Sequence, residues 1–312
     1  PVLRDHVVEG RPILPGVGHL DLVAEASGGL AGRACLDVRW IVPLALSGAD
    51  ETVAVVQDGD RYEIRGADDA VRSCGRLAAA PAAPAPLDVT ALRARLDEGP
   101  GEESFYRALA GQGLPYGPFF RRVRQVWTGH DEVLGRIGEP SGDDPAHALH
   151  PGVLDAALHT VAALLVRRRG EHARPMLPFA ADRVDVFGTV PTTGWSYVRE
   201  TGTDRCEVLL CDDTGAVRVR FEGLTYREAK PSTVIVHRPV WTARPAEERA
   251  PAADRVLLIL SMCIRDSFRS APAASRTPNS TAPWTGPAHL TWSTSWPRPP
   301  AASPSAAPGC TP

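Results

Sequence analysis

The chain alternates between two kinds of hydrophobic pattern. Residues 16–27, GVGHLDLVAEAS, place apolar side chains at Val17, Leu20, Val23 and Ala24. That spacing predicts an amphipathic helix, which Gly28-Gly29 ends. Runs rich in Val, Ile, Leu and Trp follow, with strands expected at Cys35–Leu46, Thr52–Gln57, Arg61–Arg65 and Val71–Ala79. Ala80–Pro86, APAAPAP, can be neither helix nor central strand and reads as a linker. A second round then begins. Short helices are expected at 89–97 and 102–112, one or two strands within Arg122–Ile137, and the most apolar helix of the chain at 152–168, GVLDAALHTVAALLVRR. Strands are expected again at Asp182–Phe187, Trp195–Thr201, Glu207–Cys211 and Val217–Arg227.

The order of loop, apolar helix and several strands thus occurs twice. Two similar halves, each one buried helix wrapped by an antiparallel sheet, satisfy it with an α+β fold. The expected boundaries are 1–80 for the first half, 81–88 for the linker and 89–228 for the second half. Beyond Glu228, Arg255–Leu260 (RVLLIL) looks like the buried first strand of another domain, so 229–260 is expected to be a linker and the start of that domain. Residues 268–312 hold ten prolines, no Asp, Glu, Lys, Ile or Val, and one Leu. Such a segment cannot bury enough apolar surface to offset its ordering entropy. Met262–Ser267 reads like one translation frame of a sequencing adaptor, so 261–312 is expected to be a disordered or out-of-frame tail, dispensable for function.

Composition narrows the function classes. A chain of 312 residues, 43% hydrophobic, can bury a sizeable core, and a formal net charge of -3 gives no global attraction to nucleic acid or anionic membrane. The short basic run Arg167–Arg169 reads as a solvated helix end. No apolar run reaches the roughly 18 to 20 residues that span a bilayer. Six cysteines without CxxC spacing are expected to be reduced thiols of a cytoplasmic protein. The histidines form no compact ligand pattern, so no metal is expected. A first residue of Pro1 suggests a piece of a longer polypeptide.

Two segments carry candidate chemistry. In His6–Gly16, HVVEGRPILPG, a histidine precedes a glycine-proline turn that opens an apolar helix. Gly10 can adopt positive φ, and Pro15 suits a helix start. The N–H groups of Gly16 and Val17 would then face outward at the helix N-terminus and could stabilise a carbonyl oxygen gaining negative charge. A surface histidine beside an ordinary helix cap explains this half equally well. In His150–His159, HPGVLDAALH, Asp155 sits inside the most apolar helix. A carboxyl there is costly unless paired or functional, and burial tends to raise its pKa. His159 lies one helical turn on, within reach of Asp155. A carboxyl that holds its proton in an apolar site suits general-acid work. The bland alternative is an Asp–His pair that only satisfies itself.

With Tyr116–Phe120 (YGPFF) between them, these segments give HxxxGxxxxP, YGPxF and HPxxxDxxxH in the order found in polyketide synthase dehydratase domains, which residues 1 to about 228 resemble. Leu177-Pro178-Phe179 also resembles a family element near the active-site entrance, and the opening segment is most similar to modules served by free-standing acyltransferases. The resemblance implies a double hotdog fold. It implies that His6 removes the α-proton of a β-hydroxyacyl thioester and that Asp155 protonates the departing hydroxyl. Tyr116 and His159 would orient the acid or the leaving group. The substrate would ride on the phosphopantetheine of an acyl carrier protein, with no free cofactor. Further implied partners are a neighbouring ketoreductase, other synthase domains and a second copy of the chain in a homodimer. His237–Trp241 resembles the linker into the ketoreductase.

Two departures stand out. The family carries a strand pair upstream of the histidine, so the first sheet is expected to have an open edge. Phe119 and Phe120 replace residues that are often polar, which is expected to narrow the pocket. Within the same fold, a double-bond isomerase, a pyran-forming cyclase, a thioesterase and a non-catalytic domain compete with the dehydratase; retention of both His6 and Asp155 favours the dehydratase.

Overall fold

The structure, a computed structural model, describes residues 2–45, 51–140, 147–169, 174–228 and 256–262. In the first half, strands β1 (Val7–Val8) and β2 (Arg11–Leu14) lead into helix α1 (Gly16–Ala26). Strands β3 (Arg33–Trp40), β4 (Leu44–Ala45), β5 (Glu51–Asp58), β6 (Arg61–Arg65) and β7 (Val71–Ala79) follow. The second half opens with α2 (Val89–Arg95), β8 (Asp97–Gly101) and α3 (Glu102–Gly111). It continues through β9 (Val123–Thr128), β10 (Glu132–Ile137) and the long helix α4 (Pro151–Arg169). It closes with β11 (Met176–Val186), β12 (Gly194–Gly202), β13 (Arg205–Cys211) and β14 (Val217–Glu228).

The strands from both halves join in one antiparallel sheet, ordered β5-β6-β7-β3-β11-β14-β13-β12-β10-β9-β8. The seam is β3 against β11, where Cys35 faces Val184 and Arg33 faces Val186. Each half wraps its own helix. Val17, Leu20 and Val23 of α1 and Val153, Leu154, Ala157 and Val161 of α4 are all essentially buried. Strand alternation supplies the facing surface: Tyr62 and Ile64 of β6 and Ser73, Gly75 and Leu77 of β7 point inward while their neighbours point out. This is the double hotdog that the repeated pattern and the resemblance implied.

Several boundaries differ from expectation. The run Cys35–Leu46 is not one strand. It breaks at Ile41–Pro43, where Pro43 lacks an N–H for the ladder, and β4 leaves the main sheet to pair with β2. Strand β11 begins at Met176 and absorbs Leu177-Pro178-Phe179, with an irregularity between Pro178 and Ala180. In the linker, residues 80–88 form no regular element; Leu87 bonds Gly215 through its N–H (2.9 Å), and Asp88 caps α2 by accepting from Ala91 N–H (2.9 Å).

A strand does form where RVLLIL predicted one, but its placement differs. Strand β15 (Val256–Met262) pairs antiparallel with β5, with Leu258 opposite Val55, and so extends this sheet. The outer edge of β5 offers unpaired backbone groups, and an apolar strand satisfies them. The outer edge of β5 is therefore covered. His237–Trp241 and residues 263–312 lie outside the described residues. Among the described residues Cys35, Cys74, Cys206 and Cys211 are free thiols, and no helix is long and apolar enough to cross a membrane.

Candidate active site

His6 is placed by a hairpin too short to show in the hydrophobic pattern. β1 and β2 are joined by Glu9 and Gly10, both at positive φ (49° and 78°), with Val8 opposite Arg11. Two consecutive positive φ values make the tight turn whose twist suits a two-residue hairpin, and Gly10 adopts its share without a Cβ penalty. The hairpin brings Ile13 back beside His6. Ile13 N–H donates to His6 O (3.1 Å), and His6 Nδ1 lies 2.7 Å from Ile13 O. A carbonyl only accepts, so Nδ1 carries the proton and Nε2 keeps its lone pair. His6 is 7% exposed. Burial lowers its pKa, against the opposing pull of Asp155, so the ring is neutral near pH 7 and available as a base.

Directly after this hairpin, Pro15 caps α1 in an extended conformation, and no side chain caps the helix's first turn. Gly16 and Val17 are thus the first two residues of a helix whose start presents backbone N–H groups. Trp40 fixes this start by donating its indole N–H to Gly16 O (2.8 Å).

Asp155 comes from the other half. Pro151 is the first residue of α4, a position that needs no N–H donor, and Asp155 lies in the second turn. It is 5% exposed. Its Oδ2 lies 2.8 Å from His159 Nε2 and 3.7 Å from His6 Nε2. Residues far apart in sequence, one from each half, therefore face each other at nearly hydrogen-bond distance. Burial pushes the Asp155 carboxyl up, but the adjacent His159 and His6 outweigh it and the net shift is downward. This corrects the expectation drawn from burial alone, which took no account of the two imidazoles.

The YGPFF segment walls the pair. Tyr116 lays its ring 4.0 Å from that of His159 and 5.5 Å from that of His6, and Phe120 stands edge-on to His6 at 5.3 Å. Tyr116 thus packs on His159, which in turn bonds Asp155. Its hydroxyl is held well above the ordinary tyrosine pKa by burial, so it stays protonated. Only one of the two phenylalanines borders His6. Phe119 turns away to stack on His150 (5.3 Å, 21°). On β11, Phe179 sits beneath the Arg227 guanidinium, 3.4 Å from ring centre to cation.

Three further residues hold these parts together and were missed in the sequence. Asp5, just before His6, accepts from Phe119 N–H (3.0 Å), and its carbonyl accepts from Gly117 N–H (2.8 Å). A Cβ at position 117 would lie 2.5 Å from the Asp5 carboxyl carbon, so glycine is needed there. Asp21 of α1 accepts from Leu149 N–H (2.8 Å) and pairs with His147 Nδ1 (2.8 Å), which ties the first half to the loop that starts α4. Tyr106 of α3 contacts His159 Nδ1 at 3.3 Å. Asp21 could have been found by the logic applied to Asp155, since it too is an acid inside an apolar helix. Tyr106 carried no such signal, because an aromatic residue on an amphipathic helix reads as core.

Known proteins resemble this chain in sequence and fold. Residues 1–66 match the family described as polyketide synthase dehydratase domain, and residues 84–232 match the polyketide synthase dehydratase N-terminal domain. The polyketide synthase ThaG of Burkholderia thailandensis is 30% identical over 249 residues, covering 73% of this chain and 4% of that protein. The chain thus spans a small fraction of the length of the curated relatives it matches. Among solved structures, a trans-AT polyketide synthase dehydratase domain from Brevibacillus brevis superimposes with a TM-score of 0.65 at 26% identity, covering 73% of this chain and 90% of that one. The dehydratase domain from the CurK module of curacin polyketide synthase shares the fold at a TM-score of 0.66 and 21% identity, covering 74% of this chain and 89% of that one. With the facing histidine and aspartate, the double hotdog and both family matches in agreement, this chain belongs to the dehydratase domains of polyketide synthases.

Proposed function

We propose that this domain converts a β-hydroxyacyl thioester, carried on the phosphopantetheine of an acyl carrier protein, into the α,β-unsaturated thioester. The observation that carries the proposal is the 3.7 Å approach of His6 Nε2 to Asp155 Oδ2. One ring nitrogen keeps a lone pair and one carboxyl can bear a proton, which is the pairing that loss of water requires. His6 Nε2 takes the α-proton. The electron pair left on the α-carbon forms the double bond, and the C–O bond breaks as Asp155 protonates the hydroxyl, releasing water. In this proposal the N–H groups of Gly16 and Val17, at the start of α1, stabilise the thioester oxygen as it gains charge.

The reaction is redox neutral and calls for no bound cofactor. After it, His6 holds a proton and Asp155 lacks one. Once product leaves, water entering the site takes the proton from His6 and supplies one to Asp155, restoring both groups. The productive state needs Asp155 protonated and His6 neutral together. Substrate that displaces water from the site favours this state, since it disfavours the charged carboxylate. The carrier protein and neighbouring synthase domains are the proposed partners.

The test is the product formed from a carrier-bound β-hydroxyacyl chain by the 312-residue protein, read by mass spectrometry and NMR. An enoyl thioester supports the proposal. A ring, a shifted alkene or a free acid would identify a cyclase, an isomerase or a thioesterase, and unchanged substrate would identify a non-catalytic domain.

A further inference from the structure

We propose that Tyr106 is a positioning residue that fixes the tautomer of His159, so that His159 always donates to Asp155 and leaves the other carboxyl oxygen to carry the transferable proton. This inference rests on the dehydratase proposal for its catalytic meaning, but the tautomer itself stands on hydrogen-bond geometry.

The Tyr106 hydroxyl is buried and surrounded by four partners. It accepts from Arg122 N–H (2.9 Å) and Val123 N–H (3.0 Å). It donates to Phe120 O (2.9 Å) and lies 3.3 Å from His159 Nδ1. A phenolic oxygen has one proton and two lone-pair positions to offer. Both acceptor positions are filled by backbone N–H groups, although Arg122 N–H is shared with Phe120 O. The single proton is therefore donated on the side of Phe120 O, with His159 Nδ1 as the second, longer acceptor. A proton on Nδ1 would be aimed at an oxygen with no free acceptor position. Nδ1 is accordingly bare and accepts a share of the Tyr106 proton.

The ring's proton then sits on Nε2, 2.8 Å from Asp155 Oδ2. Oδ2 becomes a fixed acceptor. When Asp155 is protonated, the proton occupies Oδ1, which is free to give it to the leaving hydroxyl. His6 is set with the opposite polarity, since its Nδ1–H is held by Ile13 O and its Nε2 is bare. The two histidines that flank Asp155 are thus locked in opposite tautomers, one as a donor to the acid and one as the base. Tyr106 provides the lock for the first, and the β2 backbone provides it for the second.

The direct test is the ¹⁵N spectrum of the 312-residue chain labelled in histidine, with the His159 signals identified by their loss in His159→Gln. Protonated Nε2 with bare Nδ1 is expected. A protonated Nδ1 in the unsubstituted chain, in a neutral or doubly protonated ring, overturns the proposal. Variants add a functional readout. Gln donates through its amide and accepts through its carbonyl, so His159→Gln keeps the polarity without any tautomer to set. Tyr106→Phe is expected to lower kcat about tenfold or more in the parent chain but only about threefold or less in the His159→Gln background. Equal losses in both backgrounds would make Tyr106 merely structural and overturn the proposal. If the parent chain makes no enoyl product, the dehydratase proposal fails, while the ¹⁵N spectrum still decides the tautomer.

Discussion

Acidification should destabilise this domain through His19, a residue outside the proposed chemistry. His19 lies in α1, 3% exposed, with Nδ1 2.8 Å from the Ser73 hydroxyl on β7. Burial, with the nearby Arg72 charge, lowers its pKa from 6.5 to about 4. In the unfolded chain the ring takes a proton as pH falls through 6.5, while in the fold it stays neutral until about pH 4. Between those values the unfolded state binds the extra proton, so stability is full above 6.5 and is lost as pH falls. Each pKa unit corresponds to about 1.4 kcal/mol, so the 2.5-unit gap between 6.5 and about 4 amounts to about 3 kcal/mol. The perturbation is His19→Asn, whose amide can keep a bond to Ser73 but does not titrate. Urea denaturation at several pH values between about 7 and 4 gives the unfolding free energy of each protein. Wild type should lose about 3 kcal/mol more than the variant over that range. His6 is also lowered by burial, so the variant should still lose some stability. Parallel curves for the two proteins would refute the reasoning, whatever their offset at neutral pH.

Three further outcomes are expected. Because His6 and Asp155 are both shifted downward, the state with a neutral base and a protonated acid becomes scarcer as pH rises, so kcat/KM should increase as pH is lowered from about 8 to about 6; a profile rising with pH contradicts this. Tyr116→Phe should reduce dehydration less than substitution of His6 or Asp155, because it removes a hydroxyl and keeps the ring that packs on His159; steady-state kinetics on carrier-bound substrate decides it. Asp21→Ala should cost about 1–3 kcal/mol in urea denaturation, since it leaves the buried Leu149 N–H without its acceptor, and an unchanged midpoint would show the tie between the halves to be idle.

The sequence made the repeated architecture legible because both apolar helices and most strands carry strong periodicity. β6 and β7 appear at the expected boundaries, and α1 and α4 within a residue or so. What escaped notice was short or set by partners distant in sequence. The β1–β2 hairpin spans too few residues to show a period, yet it fixes the His6 tautomer. β8, with the sequence DEGPG, has no strand propensity and forms because β9 offers it an edge. The direction of the Asp155 shift was misjudged because burial can be read from an apolar helix, whereas the approach of His6 from the other half cannot. Asp5 and Asp21 likewise acquire their roles only when the halves meet.

The central claim is that His6 and Asp155 act together as base and acid in one elimination. The most direct measurement is the rate of enoyl thioester formation by wild type, His6→Ala and Asp155→Asn, with circular dichroism confirming that each remains folded. Each variant should lose about 10²-fold or more of the wild-type rate. Near-normal dehydration by either folded variant would contradict the account.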